Sequence, residues 1–290
     1  MTIPGGILRP MTRLPRTALV AAGAAVVAAL ALTWWSLWYE PRNVRLRRLT
    51  IRPPGWPAEL DGLTIAVVSD LHTGAPHVDV GRVERLVARL NRQVPDLVAL
   101  LGDYADPAVA LGHRVEPEEV ARALGGLRAR LGRFAVLGNH DWHEHGGAMP
   151  RALRGHGITV LENEAVRADA EAPLWIAGVA DAMSRTPRLD DTLAVVANGE
   201  AVLLLSHDPD VFPHVPPRVA LTLSGHTHGA QVDVPVIRDK VTPSQHGAHY
   251  TKGHQVEDGR HLFVSPGVGT SRLPIRFRAR PEVTLLRLEA

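Results

Sequence analysis

Five times along this chain a short apolar run, rich in β-branched residues, ends in a polar turn carrying Asp, Asn or His. Leu63 to Val68 leads to Asp70 and His72, and Leu97 to Leu101 leads to Asp103. Arg133 to Leu137 leads through a glycine to Asn139 and His140. Ala201 to Leu205 leads to His207, and Val219 to Leu223 leads to His226 and His228. Runs of this length bounded by turn residues predict buried strands. Between the first two runs, Val83, Leu86, Val87, Leu90 and Val94 fall at helical spacing, and Glu118 to Leu131 reads as a second helix. Strands alternating with helices predict an α/β domain with much parallel sheet. In such sheets the carboxyl ends of the strands open on one crevice, so the five turns are expected to meet there.

The second half adds candidate strands at Leu174 to Val179, His261 to Val264 and Val283 to Leu288, with helices near 150–155 and 189–198. No internal repeat or second boundary interrupts residues 58–290, which are expected to form one domain. Residues 40–57 hold Pro41, Pro53, Pro54, Gly55 and Pro57 and read as a linker, within which Val44 to Ile51 suits an edge strand.

The donor types narrow the chemistry. There is no cysteine, so disulfides, thiolate nucleophiles and zinc–thiolate sites are excluded. Carboxylate, imidazole and amide oxygen together suit manganese, iron or zinc. Two such ions, about 3.5–4 Å apart, can clamp a phosphoryl group. Asp103 is the candidate bridge, because it sits between the earlier and later ligand groups. Each residue alone has a plainer role: Asp70 as a turn residue, His207 as a hydrogen-bonded loop histidine, Asp106 and Asp141 as helix caps. The ordered set is what points to a metal centre.

The motifs Asp70-Leu-His72, Gly102-Asp103-Tyr-Ala-Asp106, Gly138-Asn139-His140-Asp141, Ser206-His207 and Gly225-His226-Thr-His228 resemble, in this order, those of the calcineurin-like metallophosphoesterase family. The resemblance covers roughly residues 60–290. It implies a four-layer αββα sandwich of two mixed β-sheets flanked by helices. It also implies one metal on Asp70, His72, Asp103 and His228, and a second on Asp103, Asn139, His207 and His226. His140 matches the family's catalytic histidine, and Asp106 the carboxylate that orients it. The implied nucleophile is a metal-activated hydroxide. The chain looks most like a bacterial membrane-anchored subgroup, through Tyr39-Glu40-Pro41 and the tail from Ser265 to Phe277. Some members of that subgroup cleave the pyrophosphate of UDP-2,3-diacylglucosamine, and others are phosphodiesterases. Ala230 stands where the subgroup commonly has Gly, and Pro266 where it often has Arg.

Thr17 to Trp38 contains no charged residue. As a helix its roughly 22 residues would extend about 33 Å, enough to cross a hydrocarbon core of about 30 Å. Trp34, Trp35, Trp38 and Tyr39 crowd its far end as an interfacial belt would. Residues 17–39 are therefore expected to be a retained transmembrane anchor after a basic flank at 1–16; the rival readings are a cleaved signal peptide and a buried core helix. Arginines flank both ends, Arg9, Arg13 and Arg16 before and Arg42, Arg45, Arg47 and Arg48 after, so charge does not orient the segment. A cell-envelope substrate sets the expectation of an extracytoplasmic catalytic domain.

The chain is thus expected to be a membrane-anchored two-metal phosphohydrolase acting on a phosphodiester or pyrophosphate of a small-molecule or lipid-linked substrate. Arg272, Arg276 and His143 are candidate substrate contacts, because guanidinium pairs well with phosphate; a surface salt bridge is the plainer reading of the two arginines. His246, His249 and His254 read as a loop beside the pocket, or else as an extra metal site. The alternatives are a phosphomonoesterase, a nuclease, and a non-catalytic metal-binding scaffold on the membrane. The 32 basic residues are nearly matched by 30 acidic ones, which weighs against a nucleic-acid partner. No protein partner is expected.

Overall fold

The structure, a computed structural model, describes residues 15–170, 172–197 and 199–290, the side chain of residue 145 excepted. Most of the expected basic flank at 1–16, with Arg9 and Arg13, lies outside these residues, as does Asn198. Twelve strands run in chain order: β1 (Arg45–Ile51), β2 (Leu63–Val68), β3 (Leu97–Leu100), β4 (Arg133–Ala135), β5 (Thr159–Val160), β6 (Glu164–Arg167), β7 (Leu174–Gly178), β8 (Ala201–Leu205), β9 (Leu221–Ser224), β10 (Gly253–Glu257), β11 (Arg260–Val264) and β12 (Glu282–Leu288). They form two six-stranded sheets, ordered β1-β12-β2-β3-β4-β5 and β10-β11-β9-β8-β7-β6. In the first, β2 to β5 run parallel and β12 pairs antiparallel with β2. In the second, β7, β8, β9 and β11 run parallel.

Strand alternation builds the layers. Ile65 and Val67 of β2 and Leu97 and Ala99 of β3 face Leu203 and Leu205 of β8, in a core between the sheets. Ala66, Val68, Val98 and Leu100 point the other way, onto Val83, Leu86 and Leu90 of the helix Val80–Asn91 and onto Val120 and Leu124 of the helix Pro117–Gly125. Val202 and Leu204 of β8 pack outward on Leu193, Val211 and Phe212. Each such fully buried Leu or Ile contributes about 1.5–3 kcal/mol. This is the expected αββα sandwich, with short helices and 3₁₀ turns forming the layer on the second sheet.

Within residues 40–57, expected as a linker, the edge strand read at Val44 to Ile51 is present as β1 and belongs to the first sheet. β1 pairs with β12 along its whole length, from Arg45 opposite Glu282 to Ile51 opposite Leu288. Leu49 and Ile51 pack into the core, while Arg45 and Arg48 stay exposed on an edge strand that the charges protect from further pairing. Ahead of it, the apolar helix Arg16–Trp34 has no buried residue, and it continues through a wider π turn, Trp35–Tyr39, into Glu40–Arg42. The run Arg16–Arg42 is long and apolar enough to cross a membrane. Its last turns are tied to the domain: Arg276 N donates to Ser36 O at 3.0 Å, and Ala279 N to Glu40 Oε1 at 2.8 Å. A π turn would give Ser36 O the amide of residue 41, but Pro41 has none, so that carbonyl is left for Arg276.

Candidate active site

All five turns arrive at the carboxyl ends of their strands, where the two sheets meet. Asp70 N donates to Gly102 O and His72 N to Asp103 O, both at 3.0 Å, which joins the first two turns. Gly225 N donates to His207 O at 2.9 Å, which joins the last two. His226 N donates to both carboxylate oxygens of Asp70 at 3.1 Å, and this bond spans the sheets. The turns are sharp. Asp70, His72, Asp103, His226 and His228 all hold left-handed backbone, with φ from 45° to 69°. For a residue with a side chain this costs about 1–2 kcal/mol, and it persists only where surrounding structure enforces it. The close approach also needs glycine. A Cβ on Gly138 would lie 2.2 Å from Asp103 Oδ1, and one on Gly225 would lie 1.9 Å from Ser69 Oγ.

Six of the seven expected ligands converge in two groups. Ligand atoms of Asp70, His72 and His228 lie within 4.8 Å of one another, as do those of Asp103, His207 and His226. Asp103 Oδ2 lies 3.5 Å from His72 Nε2 and 3.3 Å from His207 Nε2, so one oxygen faces both groups. The seventh, Asn139, opens the helix Asn139–His145.

The donor set fits divalent cations. His72 Nε2 and Asn139 Oδ1 are buried without a hydrogen-bond partner, and both are candidate ligand atoms. Buried polar atoms of this kind require an explanation, and a cation supplies one. The far ring nitrogens are engaged: His72 Nδ1 meets Asp106 Oδ2 at 2.9 Å and His207 Nδ1 meets Leu101 O at 2.6 Å, which turns each Nε2 inward. Burial opposes charge on Asp103, yet His207, His72 and His140 hold it well below the usual carboxylate range. Burial likewise opposes charge on His207, and Asp103 outweighs it and raises the ring well above the usual value. The cage thus draws positive charge to its centre. Burial, then the charges of His72 and Arg276, push His228 well below its usual value, into the neutral form that ligates.

His140 stands beside the cage, its side chain 22% exposed, with Nδ1 3.1 Å from Asp106 Oδ2. Asp106 is fully buried and serves both His140 and His72. Burial works against a charged His140, but the bond to Asp106 and the charges of Asp103 and Asp106 raise it to about 9. With Nδ1 held, Nε2 is the atom free to meet a substrate.

Two buried acids have roles that sequence reasoning missed. Asp141, read there only as a cap, accepts from the amides of Gly138, Asp103 and Tyr104, at 2.9, 2.8 and 2.9 Å. It therefore ties the Asp103 turn to the Asn139 turn. Asp181 follows β7 as the ligands follow their strands, and that pattern was the available signal. Its Oδ2 accepts from Ser184 N at 2.8 Å, its Oδ1 is buried without a partner, and its charge raises His207.

The expected substrate contacts divide. Arg272 and His143 are exposed. Arg276 is not a surface residue: it is 0% exposed, and its guanidinium donates to the carbonyls of Gly269, His228, Ala279 and Pro266. It braces the His228 turn from behind. Nor do His246, His249 and His254 form a cluster: His249 Nε2 meets Glu257 Oε1 at 2.5 Å, and His254 Nε2 meets His261 Nδ1 at 3.1 Å.

Residues 63–230 match the family model described as calcineurin-like phosphoesterase. The protein named uncharacterized metallophosphoesterase YkuE, of Bacillus subtilis, is 30% identical over 265 residues, covering 88% of this chain and 89% of that protein. The UDP-2,3-diacylglucosamine pyrophosphatase LpxG of Chlamydia trachomatis is 28% identical, over 90% of this chain and 94% of that protein. The phosphodiesterase YaeI of Escherichia coli is 32% identical, over 77% and 81%. The family model spans every candidate-ligand turn from Asp70 to His228 and more than half of the sequence, and by that match the chain belongs to the calcineurin-like phosphoesterase family.

Proposed function

We propose that this metal-dependent phosphoesterase hydrolyses a phosphodiester or a pyrophosphate at a membrane surface, with Arg16–Arg42 as its retained anchor. The observation that carries the reading is the pairing of six buried ligand-type side chains in two adjoining clusters, with the buried and unpartnered Asn139 Oδ1 on the next turn, with one partly exposed histidine at their edge, braced by a buried carboxylate. Asp70, His72, Asp103 and His228 would hold one divalent cation and Asp103, Asn139, His207 and His226 the other. Manganese, iron and zinc all suit these donors. Such a pair supplies charge for the phosphoryl oxygens and lowers the pKa of water. The chain's own residues do the rest. His140, protonated at neutral pH, gives a proton from Nε2 to the leaving oxygen. Asp106 orients the ring and stabilises its charge, and Asp141 fixes the Asp103 turn against the Asn139 turn. LpxG and YaeI, named for a pyrophosphate and a phosphodiester activity, support this substrate class. We further infer an extracytoplasmic catalytic domain, a reading that rests on the proposed envelope substrate alone and that a C-terminal topology reporter tests.

The test uses the full-length protein in detergent with manganese, assayed on bis(p-nitrophenyl) phosphate, p-nitrophenyl phosphate and a UDP-linked lipid. Hydrolysis of the diester or of the pyrophosphate in preference to the monoester is expected. Hydrolysis of the monoester alone overturns the substrate class. No hydrolysis of any of them by protein carrying two metals per chain favours the scaffold.

A further inference from the structure

We propose that the junction between the apolar helix and the catalytic domain is a groove for an acyl chain, and that it seats the tail of a membrane lipid whose phosphate lies at the metal centre. This rests on the reading of Arg16–Arg42 as a membrane anchor and of the cage as a phosphoesterase site. The groove is about 410 Å³, with Leu32, Thr33, Ser36 and Leu37 of the helix on one side and Val232, Ile275 and Phe277 of the domain on the other.

Three features select hydrocarbon as the occupant. First, the only two hydroxyls in the walls are already spent on their own helix: Thr33 Oγ1 donates to Ala29 O and Ser36 Oγ to Leu32 O, both at 2.9 Å. The groove offers those groups to no polar ligand, and apolar walls favour an apolar guest. Second, one wall is the spanning helix itself, at the level where Trp34, Trp35, Trp38 and Tyr39 are 55%, 43%, 55% and 41% exposed. Aromatic residues of this kind settle at the membrane–water interface, so acyl chains lie alongside this wall. Third, the segments that supply the other wall continue into exposed apolar residues flanked by exposed basic ones. Val236 is 82% exposed and Leu273 54% exposed, with Lys240, Arg272 and Arg278 nearby in sequence. Apolar side chains bordered by Lys and Arg suit a lipid surface with anionic head groups.

The groove backs onto the turn that carries His228. Its inner wall is the outer side of the ligand turn: Asp233 N donates to Phe277 O at 2.8 Å and Phe277 N to Gln231 O at 2.9 Å. Val232 follows His228 by four residues, and Phe277 adjoins Arg276, whose Nη1 donates to His228 O at 3.2 Å. A tail in the groove would lie against the back of that turn, from which its polar head would reach the metal side. The domain would thus select a substrate by its tail as well as by its phosphate.

The test places the full-length chain in nanodiscs with phosphatidylglycerol carrying a diazirine in one acyl chain, followed by irradiation and mapping of the adducts. Adducts on Val232, Ile275 or Phe277 are expected, and Thr33→Trp is expected to reduce them at least tenfold. Thr33 lies on the exposed helix, so this substitution leaves the domain folded. Hydrolysis of bis(p-nitrophenyl) phosphate should stay unchanged in Thr33→Trp, while kcat/KM for the UDP-linked lipid falls at least fivefold. Adducts confined to residues 16–31, or equal in the parent and Thr33→Trp, overturn the groove. The adducts form without turnover, so an enzyme inactive on every substrate that still labels in the groove refutes the catalytic reading and leaves the groove standing.

Discussion

Replacing Asp106 by Asn removes one charge from behind His140 and leaves the shape of the site. In the parent, burial lowers the ring, and the Asp106 bond with the charges of Asp103 and Asp106 raises it to about 9. A ring titrating near 9 is about nine-tenths protonated at pH 8, whereas an ordinary imidazole near 6.5 is only about 3% protonated there. At pH 6 the two are about 100% and 76% protonated. The variant is therefore expected to lose about 30-fold in rate at pH 8 and less than about twofold at pH 6, wherever the leaving oxygen needs a proton. The sign is fixed: losing Asp106 lowers the pKa, so the alkaline limb of the rate profile moves to lower pH. Those figures hold for the ring without cations; cations beside Asp103 lower it in parent and variant alike, so the displacement between the two profiles persists while the pH window of the loss moves down with it. The assay is kcat against pH for an alkyl phosphodiester and for bis(p-nitrophenyl) phosphate. Nitrophenolate departs without a proton, so its loss at pH 8 should stay within about threefold. Asp106 also holds His72, so metal content must be measured in both proteins. A loss independent of pH, or equal for both leaving groups at full metal occupancy, refutes the proton-donor argument.

Other perturbations probe the cage and its frame. Gly138→Ala puts a Cβ 2.2 Å from Asp103 Oδ1, and the displaced carboxylate should cost about a hundredfold in kcat in a protein that still folds by circular dichroism. Asp141→Ala strands three buried amides, which at about 1–3 kcal/mol each predicts roughly 3–9 kcal/mol of lost stability in urea unfolding. Ala230→Gly relieves a φ of 66°. A relief of about 1–2 kcal/mol, offset by about 0.5–1 for glycine's extra chain entropy, predicts a Tm increase of about 0–6 °C and no decrease. Chelation should abolish activity and lower Tm by about 10–20 °C, if each cation contributes about 2.7 kcal/mol at a hundredfold excess over its Kd.

The strand-end candidate ligands were legible because each sits two to five residues beyond an apolar run, and strand alternation fixed which faces are buried. The shortest and most polar strands were not. β5 has two residues, too few for a period, and β6 and β10 carry Glu, Arg, His and Gln on sheet edges. β1 was legible as an edge strand, but not its pairing, because its partner β12 lies more than 230 residues away, where no local signal reaches. The helix expected at Glu118 to Leu131 ends at Gly125. Leu127 and Leu131 continue the apolar pattern as buried loop residues, and composition alone does not separate the two. Asp181 shares the strand-end pattern of the ligands, but it comes without the flanking Gly and His that marked the others.

Arg276 shows where residue type misleads, and it carries the last prediction. An arginine near a phosphate site suggests an anion partner, yet this guanidinium makes five hydrogen bonds to four main-chain carbonyls and is 0% exposed. Burial lowers its pKa to about 10, with Asp70 and Glu40 opposing, so it remains charged at neutral pH. The fork shape is what lets one side chain hold the 266–269 segment, the His228 turn and Ala279 together. Arg276→Lys keeps the charge and loses the fork. Leaving two or three carbonyls unpaired should cost about 3–5 kcal/mol, a large share of a typical domain's stability. His228 then loses its brace, and metal affinity should fall about tenfold, as about 1.4 kcal/mol of that strain reaches the site. KM for a diester at saturating metal should stay within about twofold, because the group never meets substrate. A phosphate-binding arginine predicts the reverse: KM rises at least about tenfold, with Tm and metal affinity unchanged. Calorimetric metal titration beside steady-state kinetics separates the two, and a KM effect without a metal effect refutes the bracing role.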